Sequence, residues 1–436
     1  MPEWKNWSGW VKAAPATIAK PKTEDELAAV MRNAPGEIRV VGTGHSFTAL
    51  AQTDGTLIEI GNLSGVISVS DDKTEALVWA GTPIHQLGRE LFEAGAALIN
   101  QGDIDRQTIA GAISTGTHGT GPTLGAFPTM VKALRLITPS GDMIDANRDE
   151  NPEVFEAGRL SLGALGVITQ VLLEVRPAYK LKEKGWTAPA EDCLRSLNIQ
   201  SVATRHFEFF WFPFADHVIC KSLDETDEEA LVPRGEGQSS RALAEEAQVR
   251  RIFNLTAALP YLSAPVTRYM TRAARKGSMQ RHAGTGEKVR WSHDAFPSPR
   301  NIQFNEMEWA LPAEAGPDAL REIVAFMRQK GVRVAFPIEY RFVAGDDVWL
   351  SPFNCRDSVT IAVHQYHKQP YKEFFDCCET VFRAYEGRPH WGKLHRAAEP
   401  DFAEWYPNWT DFQEVRRRLD PEGKMLNTHL RTIFGG

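Results

Sequence analysis

The sequence predicts a two-domain protein mixing helices and strands, and three observations carry that prediction. Its 436 residues exceed what one hydrophobic core usually serves, and an apolar content of 42 % is enough to fill two. Within the first 100 residues short β-type runs alternate with helical spacing, the pattern of an α+β or α/β domain. After Arg176-Pro177 the pattern changes to wider strands and helices, which puts a domain boundary between residues 1–177 and 178–436.

The elements follow in order. Thr23 and Glu26 have capping-box spacing ahead of Leu27, Ala28, Val30 and Met31, so a helix runs to about Asn33 and breaks at Pro35-Gly36. β-type runs at 38–41, 57–60 and 76–80 are separated by Asp54-Gly55 and Asp71-Asp72. Thr82-Pro83 is expected to cap a second helix with Ile84, Leu87, Leu91 and Phe92 on one face. Residues 131–144 read as a hairpin turning at Pro139-Ser140-Gly141-Asp142, and 167–175 as a central strand. In the second half, 207–214 is an aromatic core strand, and 224–248, rich in charge, Gly and Ser, is a surface excursion. Helical spacing over 317–330 ends at Gly331, with strands expected at 332–342 and 359–363.

Composition narrows the partners. A net charge of −7 without a basic block gives nucleic acid or anionic membrane no electrostatic hold, so a small molecule is the easier partner. Five cysteines, odd in number and without metal-type spacing, point to a reducing compartment and to no metal site. Residues 1–20 lack a long apolar core, and no stretch nears the ~20 apolar residues of a transmembrane segment, so the expected location is cytoplasmic.

Two stretches in the first half carry chemistry. Residues 38–41 feed a turn in which Gly42 and Gly44 allow close backbone approach, with His45 directly after; Phe47 stands where a dinucleotide fingerprint needs its third glycine. Residues 100–121 hold five glycines and five hydroxyl side chains, unsuited to a packed helix or strand but suited to backbone wrapping a polyphosphate or an aromatic ring system. In the second half, Glu339 and Arg341 share a strand face, where a structural ion pair is the commoner outcome and a binding pair the rarer. His364 shares a face with Ala362 and Thr360, and the polar segments 388–393 and 420–431 match no metal or triad spacing.

Six ordered motifs then resemble one family. They are Gly42-Thr-Gly-His-Ser-Phe47, Asn100-Gln-Gly-Asp-Ile-Asp105 with Thr115-Gly-Thr-His-Gly-Thr-Gly121, Ser161-Leu-Gly-Ala-Leu-Gly-Val-Ile168, Glu339-Tyr-Arg341, His390-Trp-Gly-Lys393 and Asp420-Pro-Glu-Gly-Lys424. From about residue 10 to the C-terminus the chain is similar to the aldonolactone oxidase group of the vanillyl-alcohol-oxidase flavoprotein family. The resemblance implies an α+β fold: a two-subdomain FAD-binding domain, then a cap domain built on a mixed sheet with flanking helices. Its C-terminal segment, about 388–436, would return toward the flavin.

The resemblance also implies roles. Val41, Gly42, Thr43, Gly44, His45, Ser46 and Phe47 would hold the FAD pyrophosphate, with His45 as covalent attachment point to the flavin 8α-methyl. Gly102, Asp103, Thr108, Ile109, Ala110, Gly111, Ser114, Thr115, Gly116, His118, Gly119 and Ile168 would line the cofactor. Glu339, Arg341 and Lys393 would meet the substrate hydroxyls, with His364 a further catalytic candidate. Alditol oxidases, the near alternative acting on polyols such as xylitol or sorbitol, carry serine where this chain has Asp103 and a histidine aligning with Ala362; both differences favour a sugar lactone. The implied reaction is oxidation of L-gulono-, L-galactono- or D-arabinono-1,4-lactone at C2. Gly102 stands where dehydrogenase relatives place alanine, which implies O2 as acceptor and hydrogen peroxide as product; a lactone dehydrogenase using another electron acceptor is the remaining alternative.

Overall fold

The structure, a computed structural model, describes residues 2–230, 250–275, 286–297 and 302–435. Its first half holds a three-stranded and a five-stranded sheet besides two small two-stranded pairs. Thr56–Glu59 runs parallel between Thr17–Ala19 and Ile38–Val41. Helix Glu24–Asn33 buries Leu27 and Met31 beside Ile38 and Ile58; it starts where the Thr23 hydroxyl accepts the Glu26 N–H at 3.1 Å. The second sheet is antiparallel, ordered Met143–Asn147, Val131–Ile137, Val167–Glu174, Glu75–Trp79, Val66–Val69, so the apolar strand 167–174 lies in its middle.

The second half is built on an eight-stranded sheet: Gly286–Trp291, Lys180–Pro189, His217–Glu225, His206–Trp211, Ile338–Val343, Ser358–Tyr366, Phe304–Pro312 and Arg388–Pro389. Side chains alternate between its faces. Phe207, Phe209, Tyr340, Trp309, Ile361 and Val363 pack on one face against helices Gly316–Lys330 and Lys372–Ala384. The residues between them in sequence include Glu208, Glu306, Glu308, Glu339, Arg341 and His364, and these face the first half of the chain. One sheet thus has an oily face that holds it and a charged face that it displays.

The C-terminal residues rejoin the first half. Trp391, Phe402, Phe412 and Ile433 share a core with Leu87, Ile113 and Leu134. Buried Arg39 fastens the join, donating to the carbonyls of Leu50 at 2.6 Å, Leu162 at 2.9 Å, Gly163 at 3.1 Å, and Met425. Burial pushes its pKa down to about 10, against the opposing charges of Glu37 and Asp420.

Several expectations need correction. The cap sheet is antiparallel at every described pairing rather than mixed. Helical crossovers join Lys180–Pro189 to His206–Trp211 and Phe304–Pro312 to Ile338–Val343, but in each case a strand antiparallel to both lies between the two. Glycine-rich residues 100–121 contain the short helix Ile109–Ser114, where Ile109, Ala112 and Ile113 supply a buried stripe. The strand expected from residue 332 begins at Ile338; Gly331 ends the preceding helix at φ +62°, and 332–337 form an irregular link. Thr82 does not cap the helix Ile84–Glu93: its hydroxyl bonds back to Trp79 O. Of the excursion read at 224–248, Asp224 and Glu225 end a strand, and residues 231–248 lie outside the described residues.

Candidate active site

Two cavities meet between the halves of the chain. The larger encloses about 1060 Å³, part of it open to solvent, and its walls are mainly backbone and small side chains. Residues 39–46 form one wall, 107–115 a second, and 162–168 a third. The first two walls touch closely: a Cβ added at Gly42 would lie 2.2 Å from Thr108 Oγ1. Gly44, at φ +69°, turns the chain so that His45 joins the lining. Burial, then the nearby charges of Lys393 and Arg106, push the His45 pKa down to about 4, leaving a neutral imidazole at neutral pH.

The second cavity, about 510 Å³, is walled by ionisable side chains. Strand register assembles it: Glu208 pairs with Lys221 on one neighbour and Arg341 on the other, while Glu306 pairs with His364. Arg341 is held by Glu208 at 2.8 Å, Asp103 at 2.9 Å, and Glu339. Lys221 bonds Glu208 at 2.9 Å, and Lys393 bonds Glu306 at 2.5 Å. His364 donates through Nδ1 to Pro337 O at 3.1 Å, and its Nε2 lies 3.5 Å from Glu306 and 4.0 Å from Glu339. Burial opposes these charges, but the pairing outweighs it. Lys393 and His364 hold Glu306 down to about 2, and Glu339, Glu208 and Asp103 hold Arg341 well above its usual value.

His390 and Lys393 line both cavities. The His390 Nδ1 accepts the Gly392 N–H at 3.0 Å, so its neutral ring carries a proton on Nε2; burial pushes its pKa down to about 3. Both ring nitrogens of His118 face acceptors, Gly119 O at 2.8 Å and Glu308 at 2.9 Å. The segment bearing His390 and Lys393 is zipped to the 42–48 turn: Phe47 N–H and the Ser46 hydroxyl donate to Gly392 O, and the Thr48 hydroxyl donates to Trp391 O.

The structure distributes the sequence candidates unevenly. Val41, Gly42, Thr43, Gly44, His45, Ser46, Thr108, Ala110, Gly111, Ser114, Thr115 and Ile168 line the larger cavity. Gly102, Asp103 and His118 line the charged chamber instead, with Glu339, Arg341, His364 and Lys393. Four candidates line neither. Phe47 packs on Trp7 and Phe304, Ile109 enters the core, Gly116 sits against Leu160, and Gly119 against Asn100. Sequence reasoning missed Glu306, Glu308, Glu208, Lys221 and His390. The acids were findable, since Glu306 and Glu308 alternate with apolar residues as Glu339 and Arg341 do, and Glu208 is the one acid in an aromatic strand.

Comparison with known proteins identifies what this geometry belongs to. The model of the D-arabinono-1,4-lactone oxidase family matches residues 171–433, and that of an FAD binding domain matches residues 15–147. The chain belongs to the D-arabinono-1,4-lactone oxidase family. Membership makes it an FAD-dependent oxidoreductase of the aldonolactone oxidase group. Among the family's named proteins, an L-gulono-1,4-lactone dehydrogenase of Mycobacterium tuberculosis is 35 % identical, covering 100 % of this chain and 99 % of its own. An L-gulonolactone oxidase of Bos taurus is 30 % identical over 99 % of this chain and 98 % of its own. The solved cholesterol oxidase of B. sterolicum aligns at a TM-score of 0.82 and 16 % identity, covering 99 % of this chain and 96 % of that one, a likeness of fold alone. FAD fits the larger cavity: glycine-bearing backbone at 42–44 and 163–166 lines it together with the hydroxyls of Thr108, Ser114 and Thr115, a wall that offers close approach and polar contacts to a phosphate-bearing ring system.

Proposed function

We propose that the protein oxidises an aldono-1,4-lactone at C2, with residues 1–177 holding FAD and residues 178–436 covering the substrate. The observation that carries this reading is the clamped Arg341 in the charged cavity, whose wall it shares with Lys393, a residue that also lines the larger one. FAD, when bound, supplies the two-electron acceptor. The chain's own groups do the rest. Loss of the C2 hydroxyl proton builds negative charge on oxygen, and the fixed cations Lys393 and Arg341 stabilise it without reorganising. Glu339 accepts a substrate hydroxyl hydrogen bond and so fixes which carbon faces the cofactor. His364, between Glu306 and Glu339, orients a second hydroxyl.

The chamber presents both signs of charge, the carboxylates of Glu306, Glu308 and Glu339 beside the cations Arg341 and Lys393, with His118 and His364 facing those carboxylates, so the hydroxyls of a neutral ring find donors and acceptors together. His45, neutral and on the cavity wall, is the attachment point for the flavin.

O2 is the proposed acceptor, on the ground that Gly102 leaves out a methyl group. One observation favours a second reading, a dehydrogenase: a Cβ at Gly102 would lie 2.9 Å from His118 O, so backbone packing alone accounts for this glycine. The relatives' names divide the same way, dehydrogenase in one and oxidase in another. Anaerobic mixing with lactones, alditols and aromatic alcohols tests the substrate: lactones are expected to bleach the flavin, and bleaching by alditols alone would sink the proposal. Reoxidation far slower in air than with a dye selects the dehydrogenase.

A further inference from the structure

Residues 4–13 precede both family matches, of which the earlier begins at residue 15, yet they pack directly on the turn that carries His45. Trp4–Lys5 and Lys12–Ala13 pair as a small antiparallel hairpin. Its loop is fixed from within. Buried Asn6 accepts through Oδ1 from Val11 N–H at 3.1 Å and from the Ser8 hydroxyl at 3.2 Å, and Gly9 turns the chain at φ +74°.

Three contacts clasp this hairpin to the glycine turn. Trp7 N–H donates to Gly44 O at 2.8 Å, and Asn6 Nδ2 donates to Ser46 O at 2.9 Å. The Trp4 ring lies against Gly44, where an added Cβ would come within 3.2 Å of it. From the cap side, Gln303 Nε2 donates to Trp7 O at 2.8 Å.

The consequence falls on His45. No hydrogen bond among the described residues holds its ring; the aromatic contact it makes is a stack on Trp7, 5.8 Å between centroids with planes 23° apart. Trp7 is itself wedged edge-on by Phe47 at 6.2 Å and Phe304 at 5.3 Å. A nucleophile that must reach one carbon of a bound ring system gains rate from having its direction fixed beforehand.

We infer that Trp7 is a positioning residue for flavin attachment: its indole aims the His45 imidazole at the flavin methyl group, and the hairpin of residues 4–13 holds the indole in place. The inference rests on His45 being the attachment point. In that step a methyl C–H bond breaks and a C–N bond to His45 forms. The methyl proton and the imidazole N–H proton are released to the flavin, which also takes up the two electrons; the acceptor of ordinary turnover then removes both.

The test uses the full chain, produced under flavin starvation and mixed with FAD. Colour of acid-precipitated protein is followed over time, and fluorescence titration reports non-covalent binding. Trp7→Leu, which keeps apolar bulk without a ring, is expected to bind FAD within about threefold of wild type while its pellet colours at least roughly tenfold more slowly. Trp7→Phe, which restores a ring, is expected to recover most of that rate. Asn6→Ala, which cuts the clasp and leaves the indole, is expected to slow colouring less than Trp7→Leu. A yellow wild type with Trp7→Leu colouring equally fast overturns the role of Trp7 and leaves His45 standing. Equal slowing in Trp7→Leu and Trp7→Phe, matched by equal loss of FAD affinity, also overturns it, marking Trp7 as packing. A colourless wild-type pellet overturns attachment through His45, and this inference with it.

Discussion

The two cavities share His390 and Lys393 yet are made of opposite materials. The larger is walled by glycine turns and backbone, so its shape is set by what is missing: at Gly42 one added carbon would land 2.2 Å from Thr108 Oγ1. The chamber beside it is walled by ionised side chains that hold each other in place, with Arg341 fixed by three carboxylates. Backbone walls shape and hold a large cofactor, with His45 as their one reactive side chain in this reading; charged walls stabilise charge as it forms. Damage to the first should remove the flavin, and damage to the second should remove turnover with the flavin still in place.

The largest expected effect is at the backbone wall. Gly42→Val is expected to purify colourless, read from the flavin absorbance per protein; a yellow, active variant breaks the contrast. Next comes the chamber. Glu339→Ala is expected to keep its full flavin content and lose about 10²–10³-fold in kcat with lactone, the scale of one preorganised electrostatic contact; loss of flavin in parallel would merge the two regions into one site. His364→Ala sharpens the picture with a loss of about tenfold, and a loss beyond about 10² would make it the group that takes the proton.

The smallest effect concerns the fold. Burial lowers His45 and His429 to about 4 and His206, His390 and His395 to about 3, from an ordinary 6.5. Across that window the unfolded chain binds more protons than the folded one, so stability rises with pH there and is lost on acidifying from about 6.5 toward 3. Asp346, raised by burial to about 6, runs the opposite way but is one group against five. The melting temperature is expected to fall steadily below about pH 6.5; a flat profile down to pH 4 would mean these rings are wet.

The same contrast explains what could be read from the sequence. The cofactor cavity is written in continuous stretches, since glycines and a histidine within residues 42–46 make one wall, and the order of motifs identified the family. The chamber is written in register. Glu208 meets Arg341 because two strands 133 residues apart pair there, and no spacing along the chain announces it. Glu339 and Arg341 were legible because they share one strand face; Lys221 was not, because only strand pairing brings it to Glu208, and His390 stood in a motif that gave it no role. Gly116 and Gly119 belong to the same motif yet line neither cavity, and pack against Leu160 and Asn100.

The most direct test of the division between the cavities is anaerobic stopped-flow reduction by L-gulono-1,4-lactone, comparing wild type with Arg341→Ala at matched flavin content. Wild type is expected to bleach, and the variant to bleach at least about 10²-fold more slowly while its acid-precipitated pellet stays as yellow. Equal bleaching rates would contradict a clamped guanidinium acting at the reacting centre.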